Sequence, residues 1–159
     1  MNTAFLLTGS NMGDRKKNLE SAKTLIQQQC GAIVNSSSLY ETAAWGKTDQ
    51  PNFFNQALQV ETKLSAEQLM KHILKIEEFM GRRRNEKYGP RSIDIDILLF
   101  NQERHDQAFL KIPHPELQNR RFALMPLSEI AAHVLHPVLR QTVSQLLKDS
   151  HDKLYVKKI

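Results

Sequence analysis

Asp94 and Asp96 stand one residue apart in the run Ser92-Ile93-Asp94-Ile95-Asp96-Ile97-Leu98-Leu99-Phe100. In an extended chain successive side chains point to opposite faces, so Ile93, Ile95 and Ile97 share one face and the two aspartates share the other. Two strand rises put the aspartate Cα atoms roughly 6.5 Å apart, near enough for both carboxylates to converge on one cation or a pair. Left alone, two like charges on a partly desolvated surface repel and raise each other's pKa, so the pattern asks for a positive partner. Five cations, Arg82, Arg83, Arg84, Lys87 and Arg91, lead into the strand. A polyphosphate held there could be bridged to both carboxylates by Mg²⁺, a hard ion that uses one or two carboxylates together with phosphate oxygens. Arginines would hold the remaining oxygens by bidentate, charge-assisted hydrogen bonds. That is the apparatus of phosphoryl transfer, in which two metals ~3.5–4 Å apart can clamp the reacting oxygens. On the Asp-x-Asp spacing alone, pairing of the acids with Arg91 and a neighbour at a sheet edge is the commoner use.

The remaining motifs narrow the chemistry. No G-x-x-x-x-G-K-[ST] occurs, and Gly9 to Gly13 forms neither that loop nor G-x-G-x-x-G, which removes the P-loop and dinucleotide readings. Gly9-Ser10 with Asp94-Ile95-Asp96-Ile97 resembles the Mg-dependent nucleotidyltransferases, where a Gly-Ser turn closely precedes such a strand. Here about eighty residues intervene, so that reading is the alternative. His114 sits between Pro113 and Pro115, shortly before Arg120 and Arg121, where a rigid turn could aim an imidazole and a guanidinium at a phosphate. His105, His133, His136 and His151 lack the spacing of a zinc-binding helix and read as surface or packing residues. Core packing is the usual fate of phenylalanines such as Phe53, Phe54 and Phe122. Asn55, two residues from Phe53, adds an amide edge to an aromatic platform, which suits a flat heterocycle.

The elements that must position these groups follow from pattern. Ala4 to Thr8 reads as a strand, Gly9 to Asp14 as a turn, and Leu19, Ala22, Leu25 and Ile26 recur at helical spacing. Ile33 to Glu41 can be extended, and after a loop over Thr42 to Asn52 the alternation of Leu58, Val60 and Thr62 predicts a partner strand. Ser65 with Gln68 forms a capping box, Leu69, Ile73, Ile76 and Met80 mark one apolar helix face, and Gly81 ends it. Beyond the aspartates, Ala108 to Ile112 is expected as a strand, Leu117 to Arg121 and Leu127 to Ala132 as short helices. Thr142 to Lys148 follows as a longer helix and Leu154 to Val156 as a last strand. Strands interleaved with helices and hairpin-length connections indicate an α+β sandwich with a largely antiparallel central sheet flanked by helices.

Bulk properties set the frame. A length of 159 residues fits one domain, and 40% hydrophobic with 25% charged residues is ordinary globular composition. Met1 to Thr8 is too short and lacks the basic residues of a signal peptide, and no run approaches the ~20 apolar residues of a membrane helix. A cytoplasmic location is therefore expected. Cys30 stands alone and reads as a small hydrophobe late in a helix. The 22 Lys and Arg against 17 Asp and Glu leave +5, clustered in the basic loop, which suggests an anionic partner. A non-enzymatic nucleic-acid module, using that loop and the phenylalanines as a stacking platform, is the reading from another class; the aspartate pair counts against it.

At Tyr88-Gly89-Pro90-Arg91-Ser92-Ile93-Asp94-Ile95-Asp96-Ile97-Leu98-Leu99-Phe100 the chain resembles the 6-hydroxymethyl-7,8-dihydropterin pyrophosphokinases of folate biosynthesis. The family signature is [KR]-x-[GA]-[PSAE]-R-x-x-D-[LIV]-D-[LIVM]-[LIVM]. Agreement extends through LTGSNMGD, SSSLYET, DQPNFFNQAL, IEEFMGRRR and IPHPELQNRRFALMPLSEIA, in that order. The resemblance implies a ferredoxin-like α+β fold, one pyrophosphokinase domain over residues 1–159, and transfer of pyrophosphate from ATP to the pterin hydroxymethyl group with release of AMP. It implies that Asp94 and Asp96 bind two Mg²⁺ ions bridging the triphosphate, with Arg82 and Arg91 supporting catalysis. Glu77, Arg84, His114, Arg120 and the backbone at Ile97 would contact ATP. The pterin would stack between Phe53 and Phe122, its polar edge read by Asn55 and the loop that carries Thr42, Ala43 and Trp45, with Asp94 close by. ATP and the pterin are the expected partners, without nucleic acid or membrane, and the chain is expected to act as a monomer. It departs from relatives in a basic loop one residue shorter than in some, in Tyr88 where a Trp is frequent, in Ala43-Ala44 for a Pro-containing stretch, and in Pro115 for an aromatic.

Overall fold

The computed structural model describes residues 1–44, 50–81 and 92–159. Its first half alternates strands and helices: β1 (Asn2–Ser10), α1 (Arg15–Gln29), β2 (Ala32–Ser36), β3 (Tyr40–Thr42), β4 (Phe53–Thr62) and α2 (Ala66–Phe79). The second half contains β5 (Asp94–Phe100), a hairpin of β6 (His105–Gln107) and β7 (Leu110–Ile112), then α3 (Arg121–Ala131), α4 (Val143–Asp149) and β8 (Val156–Lys158). The main sheet runs β5-β1-β4-β3-β8, with β2 also on β4, and every pairing is antiparallel. The order β5-β1-β4-β2 with α1 and α2 as the two crossovers is the ferredoxin-like arrangement expected from the sequence.

Each sheet face buries its own cluster. Ala4, Leu6, Leu58, Val60, Ile95 and Ile97 pack with Leu19, Ala22 and Ile26 of α1 and Leu69, Ile73 and Ile76 of α2. Phe5, Leu7, Leu98 and Leu99 pack on the opposite face with Ala123, Leu124 and Leu127 of α3 and Val143 and Leu146 of α4. The alternation read in the aspartate strand is therefore correct: its isoleucines face α1 and α2, and its aspartates lie on the α3 face. Register on β1 shifts by one at Leu98, because Leu6 pairs Ile97 while Phe5 pairs Leu99. This bulge lets Leu98 and Leu99 both reach the α3 cluster while Phe100 returns to the other one.

Ser65 caps α2 with the expected box, its side chain accepting from Gln68 N and its own N–H donating to Gln68 Oε1. Gly81 follows at φ +83 and donates to Glu78 O, the left-handed stop that a residue without Cβ permits. Cys30 ends α1, is 5% exposed, and burial pushes its thiol up to about 11, which fits an inert core residue.

Several boundaries differ from expectation. Gly9 and Ser10 belong to β1 rather than to a turn. Ile33 to Glu41 is not one strand but two, β2 and β3, and between them the Ser37 side chain accepts from Ala57 N while Ser37 N donates to Ala57 O. Ala108 and Phe109 form the turn of the β6–β7 hairpin, so the expected strand starts only at Leu110. The two short helices are a 3-10 turn at Leu117–Asn119 and a continuous α3, which carries Pro126 inside it. Pro126 removes one intrahelical N–H, a local cost that burial of α3 against the sheet outweighs. The last strand lies at Val156–Lys158, two residues later than read.

Candidate active site

Pairing across the sheet converts distant sequence positions into one row. Asp94 on β5 pairs Gly9 on β1, Gly9 pairs Asn55 on β4, and Asn55 pairs Tyr40 on β3. Directly paired residues share a face, so these four positions, with Asp96, Leu7 and Ala57 in the next row, lie on the α3 side. Gly9-Ser10 and the aspartate strand, about eighty residues apart in sequence, are thus neighbours in space. Asp94 and Asp96 are half-buried between buried isoleucines.

The edge of β5 is held from behind. Glu77, on α2 and 3% exposed, accepts a 2.8 Å hydrogen bond from Ile95 N, the amide between the two aspartates. An edge strand has no neighbour for that N–H, and the carboxylate supplies the missing acceptor. Two residues on, the Ile97 main chain faces the same outer edge. Its side chain is buried, so backbone contact, as expected for ATP, is the only kind that Ile97 offers.

From β7 the chain turns over β5. His114 N donates to Leu98 O at 3.0 Å, which ties the turn to the bulge just beyond Asp96. The imidazole Nδ1 accepts from Glu116 N at 3.1 Å, so the neutral ring carries its proton on Nε2. Burial, and then the positive charge of Arg120, push His114 down to about 4, although Asp94 and Glu116 pull the other way. At neutral pH the ring is an uncharged donor, suited to a phosphate oxygen or a ribose rather than to acid–base work. His114, Arg120, Phe122 and Ala123 line one crevice with Asp96, Leu7 and Leu98.

The sign of the His114 shift makes a prediction. The unfolded chain takes up this proton near 6.5 and the folded chain only near 4, so between those values the unfolded state binds more protons. His114 contributes stability that is complete above pH 6.5 and lost as pH falls towards 4. Asparagine at 114 can still accept from Glu116 N but cannot reach as far as Nε2, whereas glutamine places its amide N–H nearer that point. We expect His114→Asn to fold, to lose about tenfold in ATP affinity, and to show a shallower acid limb in denaturation. His114→Gln should regain much of the affinity, and nucleotide titrations at neutral pH with denaturation curves from pH 4 to 7 check both.

At the other end of the row, Asn55 Nδ2 donates to Thr42 Oγ at 2.6 Å, with Asn55 4% and Thr42 1% exposed. Phe53 begins β4 half-buried on the same face, while Phe54 turns to the α1 side, where Arg15 lies 3.8 Å over its ring. Ala43 N donates to Tyr155 O, which ties the start of the following loop to the C-terminal segment. Glu129 of α3 accepts from Tyr40 Oη at 2.8 Å and Ser38 N at 2.7 Å, so the helix that carries Phe122 is clipped to β3. Phe53 thus stands beside Gly9, Asn55 and Thr42, while Phe122, half-buried against the α3 cluster, lines the crevice next to Asp96 on the same face.

The structure therefore brings Asp94, Asp96, His114, Arg120, Phe122, Phe53, Asn55 and Thr42 to one sheet face, with Glu77 behind the edge strand. Arg82, Arg84, Arg91 and Trp45 lie outside the described residues, as do Arg83, Lys87 and Tyr88. Sequence reasoning missed Gly9, taken as a turn former. A Cβ there would collide with Asn55 Oδ1 and lie 3.4 Å from Phe53 Cδ2. An isolated glycine inside a strand pattern was the available signal.

The donor set suits a hard cation. Asp94 and Asp96 offer carboxylate oxygens only, and among the described residues no group of three or more His, Cys, Asp and Glu gathers. Two carboxylates with room for phosphate oxygens and water fit Mg²⁺ rather than a dedicated all-protein cage. No described helix is long and apolar enough to cross a membrane.

Comparison with known proteins bears on the chain as a whole. The family model described as 7,8-dihydro-6-hydroxymethylpterin-pyrophosphokinase matches residues 5–132. A 2-amino-4-hydroxy-6-hydroxymethyldihydropteridine pyrophosphokinase of Aquifex aeolicus is 40% identical over 91% of this chain and 90% of its own length. One of the same name from Bacillus subtilis is 41% identical over 84% of this chain and 80% of that one. Among solved structures, Plasmodium falciparum HPPK-DHPS with pterin and p-hydroxybenzoate superposes at a TM-score of 0.74 and 21% identity. That alignment covers 92% of this chain and 41% of the longer one, and it bears on the fold.

Proposed function

This chain belongs to the 7,8-dihydro-6-hydroxymethylpterin-pyrophosphokinase family, and from that premise we propose how its residues carry out pyrophosphoryl transfer from ATP to 6-hydroxymethyl-7,8-dihydropterin in folate biosynthesis. The observation that carries the reading is the single row of Asp94, Gly9 and Asn55, with the Asp96, His114 and Arg120 crevice at one end and Phe53 at the other. In this reading the row supplies a polyphosphate seat and a flat, amide-edged slot side by side on one face.

In this reading Asp94 and Asp96 hold two Mg²⁺ ions, which when bound neutralise charge on the triphosphate oxygens. His114 and Arg120 donate to the nucleotide, with Arg84 and the Ile97 backbone completing that contact. Glu77 acts from behind β5. Phe53 and Phe122 stack on the pterin, and Asn55 with Thr42, Ala43 and Trp45 reads its polar edge. The pterin hydroxymethyl oxygen attacks the β-phosphorus in line; the new O–P bond forms as the bond from the β-phosphorus to the α,β-bridging oxygen breaks. AMP leaves with that electron pair, and the hydroxyl proton passes to an aspartate carboxylate. Arg82 and Arg91 stabilise the charge that builds on the departing oxygen. Residues 1–159 act as one domain and as a monomer, in the cytoplasm, without nucleic acid or membrane.

The decisive assay separates nucleotides after incubation with Mg²⁺, ATP and the hydroxymethyl pterin. AMP is expected in step with pterin pyrophosphate. ADP in its place, or AMP formed without pterin, would sink the reading. Salt-sensitive binding to single-stranded nucleic acid without pterin-dependent turnover would favour the binding-module alternative.

A further inference from the structure

Gly9 occupies the centre of the row, between Asp94 and Asn55, on a strand flanked on both sides. Glycine inside a strand is a cost: it loses more backbone entropy on folding and offers nothing to pack. Backbone conformation gives no reason for it, because Gly9 is absent from the residues with positive φ, which include Gly13 and Gly81. Space does give one. An added Cβ would collide with Asn55 Oδ1, lie 3.6 Å from Asn55 Cγ, and touch Phe53 Cδ2 at 3.4 Å.

The Asn55 amide is pinned at its other end, since Nδ2 donates to Thr42 Oγ and both residues are almost wholly buried. With one end fixed, the amide has a single way to yield to a side chain at position 9. It must turn about its own bonds and give up the Thr42 hydrogen bond. Phe53, the aromatic wall beside it, would meet the added carbon at van der Waals distance, so the strain falls on the amide.

We propose that Gly9 is a positioning residue for recognition of the heterocycle: by having no side chain it keeps the Asn55 amide in the plane of the row, its carbonyl available to a donor on the ligand's edge. This rests on the reading of Asn55 as a pterin contact and adds the device that orients it. In the same reading the nucleotide contacts are Asp96, His114 and Arg120, and neither Asn55 nor Phe53 lines the crevice those three share, so the effect should fall on the pterin.

The test is a double-mutant cycle of Gly9→Ala and Asn55→Ala, read by thermal denaturation, by pterin binding in the presence of Mg²⁺ and α,β-methylene-ATP, and by binding of that nucleotide alone. Gly9→Ala is expected to weaken pterin about tenfold, roughly one hydrogen bond to a buried group, and to change nucleotide affinity by less than about twofold. In the Asn55→Ala background alanine at 9 should cost nothing further in stability or pterin affinity, since the truncated side chain leaves room. If Gly9→Ala alone fails to fold, recovery of folding in the double variant supports the steric coupling. Equal losses from Gly9→Ala in both backgrounds, equal weakening of both ligands, or a double variant that also fails to fold would overturn the proposal. Coupling in stability with unchanged pterin affinity in all variants would overturn it differently, by showing that Asn55 does not read the pterin.

Discussion

Asp96→Ala is expected to lower kcat by at least about a thousandfold while the protein still folds, the loss of several kcal/mol of charge stabilisation at the transferring group. Both halves of the expectation come from where the side chain sits. Asp96 is half-buried on the α3 face, paired with Leu7, and belongs to neither apolar cluster. Its removal therefore opens no core cavity of the kind that makes truncations costly. What disappears is, among the described residues, one of only two carboxylates on that part of the sheet that can share a cation, and no nearby residue of the strand can replace it, since Ile95 and Ile97 point to the other face. Single-turnover rates and denaturation midpoints on the same preparation check it. Turnover near the wild-type rate would mean that the cation is held elsewhere.

Glu77→Ala should do damage of a different kind, lowering stability and rate together. The Glu77 carboxylate is the acceptor for Ile95 N, and the residue is 3% exposed. Without it a buried amide on the edge of the sheet has no partner, at a cost of about 2–3 kcal/mol. For a chain of this size that is roughly 5–10 °C in Tm. Ile95 is the link between Asp94 and Asp96, so a strand that shifts there moves both carboxylates, and a displacement of ~1 Å in a reacting geometry costs on the order of a hundredfold in rate. Glu77→Gln retains a carbonyl acceptor and should recover most of the stability and rate. Should glutamine prove as damaging as alanine, the carboxylate charge rather than the strand clip would be what the reaction needs, and Glu77 would act on the nucleotide itself.

How far the chain announces this arrangement depends on which interaction sets each feature. The two-residue period of Ile93 to Ile97 is local, and it correctly put the aspartates together and the isoleucines in the core. The Ser65 box and the Gly81 stop are equally local and were legible for the same reason. Gly9 was misread because glycine in Gly-Ser-Asn-Met-Gly-Asp carries the same letter whether it serves a turn or a close approach, and only the pairing with Asn55 distinguishes the two. The bulge at Leu98 is invisible in Ile-Leu-Leu-Phe, since it exists to serve two clusters on opposite faces. Two short helices were expected where α3 runs continuously through Pro126, because the burial of Ala123, Leu124 and Leu127 against the sheet is a tertiary term that local spacing does not carry. The Glu77 link to Ile95 spans two elements, so spacing alone could mark Glu77 only through the family resemblance. The heterocycle was likewise supplied by resemblance; the residues themselves reached a metal, a polyphosphate and a flat slot.

The most direct test of the central claim, that the Asp94 and Asp96 face of β5 is the metal seat, is Mn²⁺ binding followed by electron paramagnetic resonance in the presence of α,β-methylene-ATP, which keeps intact the bond that would break. The wild-type chain should bind two ions per nucleotide, and Asp94→Ala and Asp96→Ala should each lose protein-held Mn²⁺ while remaining folded. Unchanged stoichiometry and affinity in both variants would contradict the account.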